Sequence, residues 1–468
     1  MPERSVGDLA IVLHSHMPYV EGFGTYPFGE EWLFDAVIRS YLPVLEVAER
    51  VTLSVTPVLA DQLEAPAVSE RLRRFLVAHR LGAAEAEAED ANAEHRPAAS
   101  AEAARYRRAL ELFDACDGDL IATIRDAERC GRIALMASSA THAVLPLVAT
   151  AAGRRLQIDA GLRSHRRRFG RTAGFWLPEC AYEPGLEWLL AEHGASWFCV
   201  DQSAHEVPLD ALAPVSAGPG RVAFTIDWEA ISWLWALDGY PSDPAHAEFH
   251  RKSMRGMRLW SIAGTPYDPA RAEEVARRQA RQFAAAAAER LELYARQRSR
   301  RGLLAFAIDT ELLGHWWSEG VAWLDEVLGV AAAHGIRLVT LAEAFAEHRP
   351  EPRTLAASTW GEGKDRRTWD GPAVADLAWG MRRMELRLLR ALDSGLERDA
   401  ALRAARELLA LQASDWAFLD ARRQAGDYPF QRATRHAEAM LEAIDCGRPD
   451  PRMRALAPDL SLAPLLEP

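Results

Sequence analysis

The chain has 468 residues, 55 basic and 67 acidic side chains, a formal net charge of −12 and 49% hydrophobic residues. That composition excludes a disordered chain, a fibrous repeat and a disulfide-stapled miniprotein, and the acidic balance argues against a nucleic-acid binder. The length allows one large catalytic domain with a smaller companion, or two to three average domains. Lysine occurs only at Lys252 and Lys364, so arginine supplies nearly all the basic charge, a bias that reads as GC-rich coding rather than arginine chemistry. The five cysteines form no CxxC pair, which fits a reducing compartment without structural zinc. The N-terminal MPERSVGDLAIVLHSHMPY is too charged for a secretory signal, and no apolar run reaches the roughly 18 residues of a membrane span, so a cytoplasmic protein with no membrane partner is expected.

Short β-rich runs recur along the chain and end in polar or ionisable residues. Leu9–Leu13 runs into His14, Val51–Val55 into Thr56, and Ile133–Met136 into Ser138, Ser139 and His142. Phe175–Leu177 precedes Pro178-Glu179. Trp197–Val200 ends at Asp201, Val222–Ile226 at Asp227 and Leu303–Ile308 at Asp309. Helical segments separate most of them, the pattern of an α/β parallel barrel, and a barrel carries its chemistry at strand C-termini. Residues 66–130 are Ala, Glu and Arg rich with helical spacing and no strand signal, a helical insertion in which AAEAEAEDANAEHRPAAS reads as a weakly structured link. A long amphipathic helix is expected between Asp268 and Arg300. Pro350 and Pro352 mark a boundary, beyond which the chain reads as helical to about Asp445 with a Pro- and Leu-rich extended surface tail. The expected division is a barrel of residues 1–65 and 131–350, the insertion 66–130, and a helical C-terminal domain 351–468 that contributes to the active-site cleft.

In His14-Ser15-His16 the two imidazoles are two residues apart and share one side of an extended strand. They suit metal ligation, sugar-hydroxyl binding or simple capping of the strand end. The remaining strand ends are rich in carboxylates and poor in imidazoles, which disfavours a hydrolytic metal site. Glu179, in GFWLPECAY, follows an aromatic strand, and Asp309, in LLAFAIDTELLGHWWSEG, follows a fully apolar one. Two carboxyl groups on neighbouring walls of one barrel would make a glycosidase pair, which for retention stands roughly 5–5.5 Å apart. Fifteen tryptophans against nine tyrosines point the same way, because an indole face stacks on a sugar ring. Trp360 and Trp369 lie in the polar, Gly-containing STWGEGKDRRTWDGP, where an indole is hard to bury, and Asp415 and Trp416 lie in a helical stretch, as substrate contacts or an interface.

These segments resemble glycoside hydrolase family 57, in particular its α-1,4-glucan branching enzyme group. HSHMPYV, ALMASSATHAVLPL, GFWLPECAYEPG, AIDTELLGHWWSEGVAWL and STWGEGKDRRTW resemble the five family motifs, and GYPSDPAHAEFHR and QASDWAFL resemble branching-enzyme segments. The resemblance spans almost the whole chain. It implies an incomplete (β/α)7 barrel with a helical insertion and an all-helical C-terminal domain, and retaining chemistry without a metal or cofactor. It implies Glu179 as nucleophile and Asp309 as acid/base, His14, His16 and His142 around the donor sugar, Trp360 and Trp369 as glucan-stacking residues, and Trp235, Asp415 and Trp416 as further contacts. The implied partner is an α-glucan such as amylose or a glycogen-like polymer.

Two departures stand out. The family's branching enzymes carry a Tyr on a loop that shields the glycosyl-enzyme from water, whereas Asp201–Asp227 here holds no Tyr, leaving Tyr240 or Tyr267 to substitute. Ala134 and Ala137 stand where the second motif more often has Glu and Thr. The expected reaction is cleavage of an α-1,4 bond and formation of an α-1,6 branch. The alternatives are an amylase-like hydrolase or 4-α-glucanotransferase on the same scaffold, a metal-dependent hydrolase using His14 and His16, and a non-catalytic glucan-binding protein.

Overall fold

The computed structural model describes residues 5–25, 27–205, 207–447 and 455–466. Its strands are β1 (Gly7–Ser15), β2 (Val51–Val55), β3 (Ile133–Ser138), β4 (Gly174–Trp176), β5 (Trp197–Asp201), β6 (Val215–Ser216), β7 (Val222–Ile226), β8 (Gly302–Asp309), β9 (Ile336–Leu338) and β10 (Glu351–Pro352). The order β7-β5-β4-β3-β2-β1-β8 is a run of parallel neighbours. β7 meets β8 at the single register position Ile226↔Ala305, so the seven-stranded barrel closes through one bridge. β9 adds to β1, while β6 and β10 extend the sheet beyond β7.

The period of two along a strand decides what each residue faces. In β1, Leu9, Ile11 and Leu13 pack outward against the helices, and Ala10 and Val12 pack inside the barrel with Trp176, Phe224 and Ala307. His14 is in phase with Ala10 and Val12. In β8, Leu304, Phe306 and Ile308 face outward, and Leu303 and Ala307 inward, with Asp309 next in the inward phase. The β1–β8 register sets His14 beside Asp309, and the β1–β2 register sets His14 beside Ser54. Asp201 is in phase with the inward Trp197 and Cys199 of β5.

Asp227 follows the inward Val222, Phe224 and Ile226 and is therefore out of phase. It is fully buried on the outer side, caps the Trp228–Trp235 helix through Ala230 N, and accepts Arg290 Nη2 at 2.6 Å from the Pro269–Arg298 helix. It stands outside the group of strand-end carboxylates at the mouth.

Between β2 and β3 the chain forms helices Val68–Arg74, Gly82–Asp90, Arg96–Ala115 and Leu120–Arg129, with a π-helical stretch at Phe75–Leu81. The expected weak link at 83–100 is thus mostly helical. Ala84, Ala98, Ala99, Ala103 and Ala109 form a buried stripe of small side chains that lets two helices approach closely.

After β10 come helices Ala375–Asp393, Arg398–Leu411, Ser414–Ala421 and Tyr428–Cys446. They dock on the Ala151–Phe169 helix through Ala152, Leu156, Leu388 and Leu408. The tail is not an extended surface strap over its described part: Leu456, Ala457 and Leu465 are buried in that cluster, and Ala463–Leu466 is helical. Residues 1–4 of the N-terminal stretch, and 448–454 and 467–468 of the tail, lie outside the described residues. Among the described residues, no helix is long and apolar enough to cross a membrane.

Candidate active site

A cleft of about 690 Å³ opens at the C-terminal mouth of the barrel, roofed by the C-terminal helices. His14, His16, His142, Glu179, Asp309, Trp235, Trp360, Trp369 and Asp415 all line it, joined by Asp201 and Glu311. Of the residues singled out in the sequence, Trp416 does not reach it. Trp416 is fully buried and its indole N–H donates to Ala410 O at 2.8 Å, so it belongs to the helical core.

Glu179 is held in strain. Its φ of 59° lies in the left-handed region, as do those of Cys180 and His142, conformations that non-glycine residues adopt only when surroundings enforce them. The enforcing contacts come from residues 358–360. Tyr182 and Ser358 exchange backbone hydrogen bonds, Trp360 N donates to Glu179 O at 3.1 Å, and Thr359 Oγ1 donates to the same oxygen at 2.8 Å. The Trp360 indole N–H then donates to Glu179 Oε2 at 3.0 Å. Burial raises the Glu179 pKa, opposed by the hydrogen bonds from Trp360 and Ser414, while Asp415 raises it further and His16 lowers it.

The three histidines form a stack. The His14 ring lies 4.5 Å from Trp176 and 4.9 Å from His142, and His142 lies 4.0 Å from His16. Each ring nitrogen of His14 and His16 has a protein partner: Ser54 and His142 for His14, Thr56 and Asp415 for His16. His142 Nδ1 is 2.9 Å from Ser414 Oγ. Burial holds His14 and His142 well below the usual histidine range, and neighbouring histidines add to this, so both are neutral and their Nε2 atoms, 3.0 Å apart, share one proton. Burial opposes the charged form of His16 too, but Asp415, Glu311 and Glu179 outweigh it and its pKa is raised. Among the described residues, no group of three or more His, Cys, Asp or Glu side chains is arranged to hold a metal ion.

Burial, then the charges of Glu311 and Glu179, push Asp309 up to about 8. Burial likewise raises Glu311 to about 7, opposed by hydrogen bonds from Tyr41 and from His16 N at 3.0 Å. Tyr41 is delivered by the π-helical turn Val37–Tyr41, in which Ser40 also donates to Thr310 O at 2.7 Å. One carboxyl is therefore protonated at neutral pH close to a second that four groups bias differently, the pairing that acid/base chemistry requires.

Aromatic rings line the same cleft. Trp235 and Trp316 meet edge to face at 6.3 Å and are 49% and 39% exposed. Trp369 is only 3% exposed, against the expectation for a polar loop, because its ring packs on Gly361, where a Cβ would come within 2.6 Å of it. Trp369 thus leaves almost none of its ring for stacking on a sugar. Neither Tyr240 nor Tyr267 lines the cleft. Tyr240 packs on the barrel's outer core, and Tyr267 is buried with its hydroxyl on Glu319.

Sequence reasoning missed Tyr41 and Lys364 as part of the site, and it reached Trp176 and Ser414 only as neighbours of Glu179 and Asp415. Lys364 Nζ is 3.0 Å from Asp201 Oδ2, which also accepts Trp228 Nε1 at 2.9 Å. Ser414 and Asp415 open a new helix rather than lying within one, and Ser414 N donates to His142 O at 3.2 Å. Lysine rarity is a signal for Lys364, and the two-residue spacing from Asp309 is a signal for Glu311. Tyr41 carries none locally.

The chain is 32% identical to a probable 1,4-alpha-glucan branching enzyme of Mycobacterium tuberculosis, over 96% of this chain and 94% of that one. A GH57 branching enzyme from Thermococcus kodakaraensis, solved in complex with glucose, superposes with a TM-score of 0.91 at 28% identity, covering 98% of this chain and 96% of that one. The alpha-amylase AmyC of Thermotoga maritima superposes with a TM-score of 0.84 at 25% identity, over 98% of both chains. The profile described as 1,4-alpha-glucan branching enzyme, C-terminal, matches residues 379–452, and that of glycosyl hydrolase family 57 matches residues 10–356. A barrel mouth that gathers the carboxyls and histidines of the five motifs, and a family match over most of the chain, lead to one conclusion: this protein belongs to glycosyl hydrolase family 57.

Proposed function

We propose that the protein is a 1,4-α-glucan branching enzyme that works by double displacement with retention. The observation that carries the mechanism is the pairing of a strained, hydrogen-bonded Glu179 with a buried Asp309 whose pKa is pushed up to about 8. The helical C-terminal region that roofs the cleft and matches the branching-enzyme profile supports the choice of reaction. The Glu179 carboxylate attacks the anomeric carbon as the α-1,4 C–O bond breaks, and Asp309 gives its proton to the departing O4. The glycosyl ester on Glu179 is the intermediate. Ionised Asp309 then takes the proton of an acceptor 6-hydroxyl, whose oxygen attacks the anomeric carbon and releases Glu179, leaving an α-1,6 bond. Asp415 accepts a hydroxyl of the donor sugar, the stacked rings of His14, His16 and His142 form the wall against which that sugar lies, and Trp235 and Trp360 offer indole surface to the glucan.

A second reading, hydrolysis of the same intermediate, is favoured by the lack of any tyrosine between Asp201 and Asp227 and by the position of Tyr240 and Tyr267 away from the cleft. Water then replaces the 6-hydroxyl. Proton NMR of amylose incubated with EDTA-treated protein separates the two. New α-1,6 anomeric signal with few reducing ends is expected. Reducing ends without α-1,6 signal would make the protein a hydrolase, and activity lost to the chelator would return the His14–His16 metal reading.

A further inference from the structure

On the face of the barrel opposite the cleft, a pocket of about 360 Å³ lies where the Ala151–Phe169 helix ends and β4 and β5 begin. His165, Arg166, Arg171 and His193 line it, with Gly170 and Thr172, and no acidic side chain is among the described residues around it.

The run Arg166-Arg167-Arg168 makes the contrast. Arg167 pairs with Glu64 and Asp459, and Arg168 pairs with Asp61 and Glu64. Arg166 and Arg171 have no ion pair among the described residues. Arg166 stands in the last helical turn, where the helix dipole alone favours a cation. Arg171 lies beyond the helix and has no such reason to be there. His165, 5% exposed, lines the pocket beside them. A concave surface of one sign also focuses its field on a counter-ion.

We propose that this pocket binds a phosphate-bearing small molecule, with Arg166 and Arg171 pairing with the phosphate oxygens. The site is separate from the glucan cleft and does not rest on the reading of the reaction.

The test is calorimetric titration of the full-length protein with inorganic phosphate, checked by phosphorus NMR line broadening. Saturable binding with a dissociation constant of about 1 mM or tighter is expected at low salt. The exposed Arg171→Ala change should weaken it by about tenfold, as loss of a charge-assisted bond does, and R166A/R171A should abolish it. His16→Gln, in the cleft, should leave it unchanged. Glucose 1-phosphate titrated in parallel identifies the source: tighter binding than phosphate marks a sugar phosphate, and equal or weaker binding marks the free anion. No saturable binding by wild type to either probe, unchanged affinity in R171A, or equal loss in H16Q would overturn the proposal.

Discussion

The indole N–H of Trp360 donates to Glu179 Oε2 at 3.0 Å, while the backbone N–H of the same residue donates to Glu179 O. One residue thus fixes both the strained backbone and the carboxylate. Replacing it with phenylalanine keeps the packing on Trp176, 5.1 Å away, and removes a hydrogen bond to a charged group, worth about 1.5–3 kcal/mol. That bond favours the ionised carboxylate, so its loss raises the Glu179 pKa. In Trp360→Phe the acidic limb of kcat/KM should move up by about one pH unit or more, with activity partly recovered at higher pH. An unmoved limb with uniformly lower activity would mean that Trp360 serves the sugar alone.

Asp309 must be protonated to act as the acid, and its pKa is pushed up to about 8 by burial and then by Glu311 and Glu179. Activity should fall as pH rises through that value. Glu311→Gln removes a negative neighbour, makes ionisation of Asp309 easier and lowers its pKa. The basic limb of the pH profile should therefore shift toward acid while turnover near pH 6 is retained. A limb that stays in place would remove Glu311 from the control of Asp309.

His16 Nε2 lies 3.0 Å from Asp415 Oδ1, and both side chains are only 13% exposed. Burial lowers the His16 pKa, but Asp415 and the other carboxyls raise it above 6.5 in the folded chain. A raised folded pKa stabilises fully below the unfolded value and loses that contribution as pH rises through the folded one. The stability lost in Asp415→Asn, about 1–3 kcal/mol, should be greatest below pH 6.5 and shrink above the raised pKa. Urea unfolding of both proteins across pH gives the difference directly, and a gap that widens with alkali would contradict it.

Trp416 and Trp235 separate core from cleft. Trp416→Ala opens a cavity in the helical region and should cost about 3–5 kcal/mol of stability. Trp235→Ala, half-exposed at the rim, should leave stability within about 0.5 kcal/mol of wild type and raise KM for amylose. Thermal unfolding and glucan kinetics measured together read both effects.

Arg290 is the partner of the fully buried Asp227 beside the one bridge that closes the barrel. Arg290→Met strands a buried carboxylate and should destabilise by about 3–5 kcal/mol. The double variant with Asp227→Asn should recover part of that loss in chemical unfolding, because the stranded charge is gone.

Much of this site was legible before any coordinates. The strand runs ending at His14, Asp201 and Asp309 carry their chemistry in the same two-residue phase as inward-facing apolar side chains, and phase is a property of sequence. The same count, applied to Val222–Ile226, sets Asp227 apart, since it falls on the opposite phase. Trp369 and Trp416 misled for a different reason. A polar, glycine-containing loop looks too wet to bury an indole, yet Gly361 supplies the flat backbone on which Trp369 rests.

Sequence by itself determined the alternation of strand and helix, the identity of the strand-end carboxyls and the family, because periodicity and motif spacing are local. Tertiary structure alone decided which of those groups meet. Glu179 takes its indole donor from Trp360, 181 residues away, His16 takes its carboxylate from Asp415, 399 residues away, and Glu311 takes its phenol from Tyr41, 270 residues away. Burial and neighbouring charge set the protonation of Asp309 and His16, and for His16 the first of those charges, Asp415, comes from the helical roof. A carboxyl's pKa is a property of the volume around it, and that volume is assembled from segments that the linear order keeps far apart.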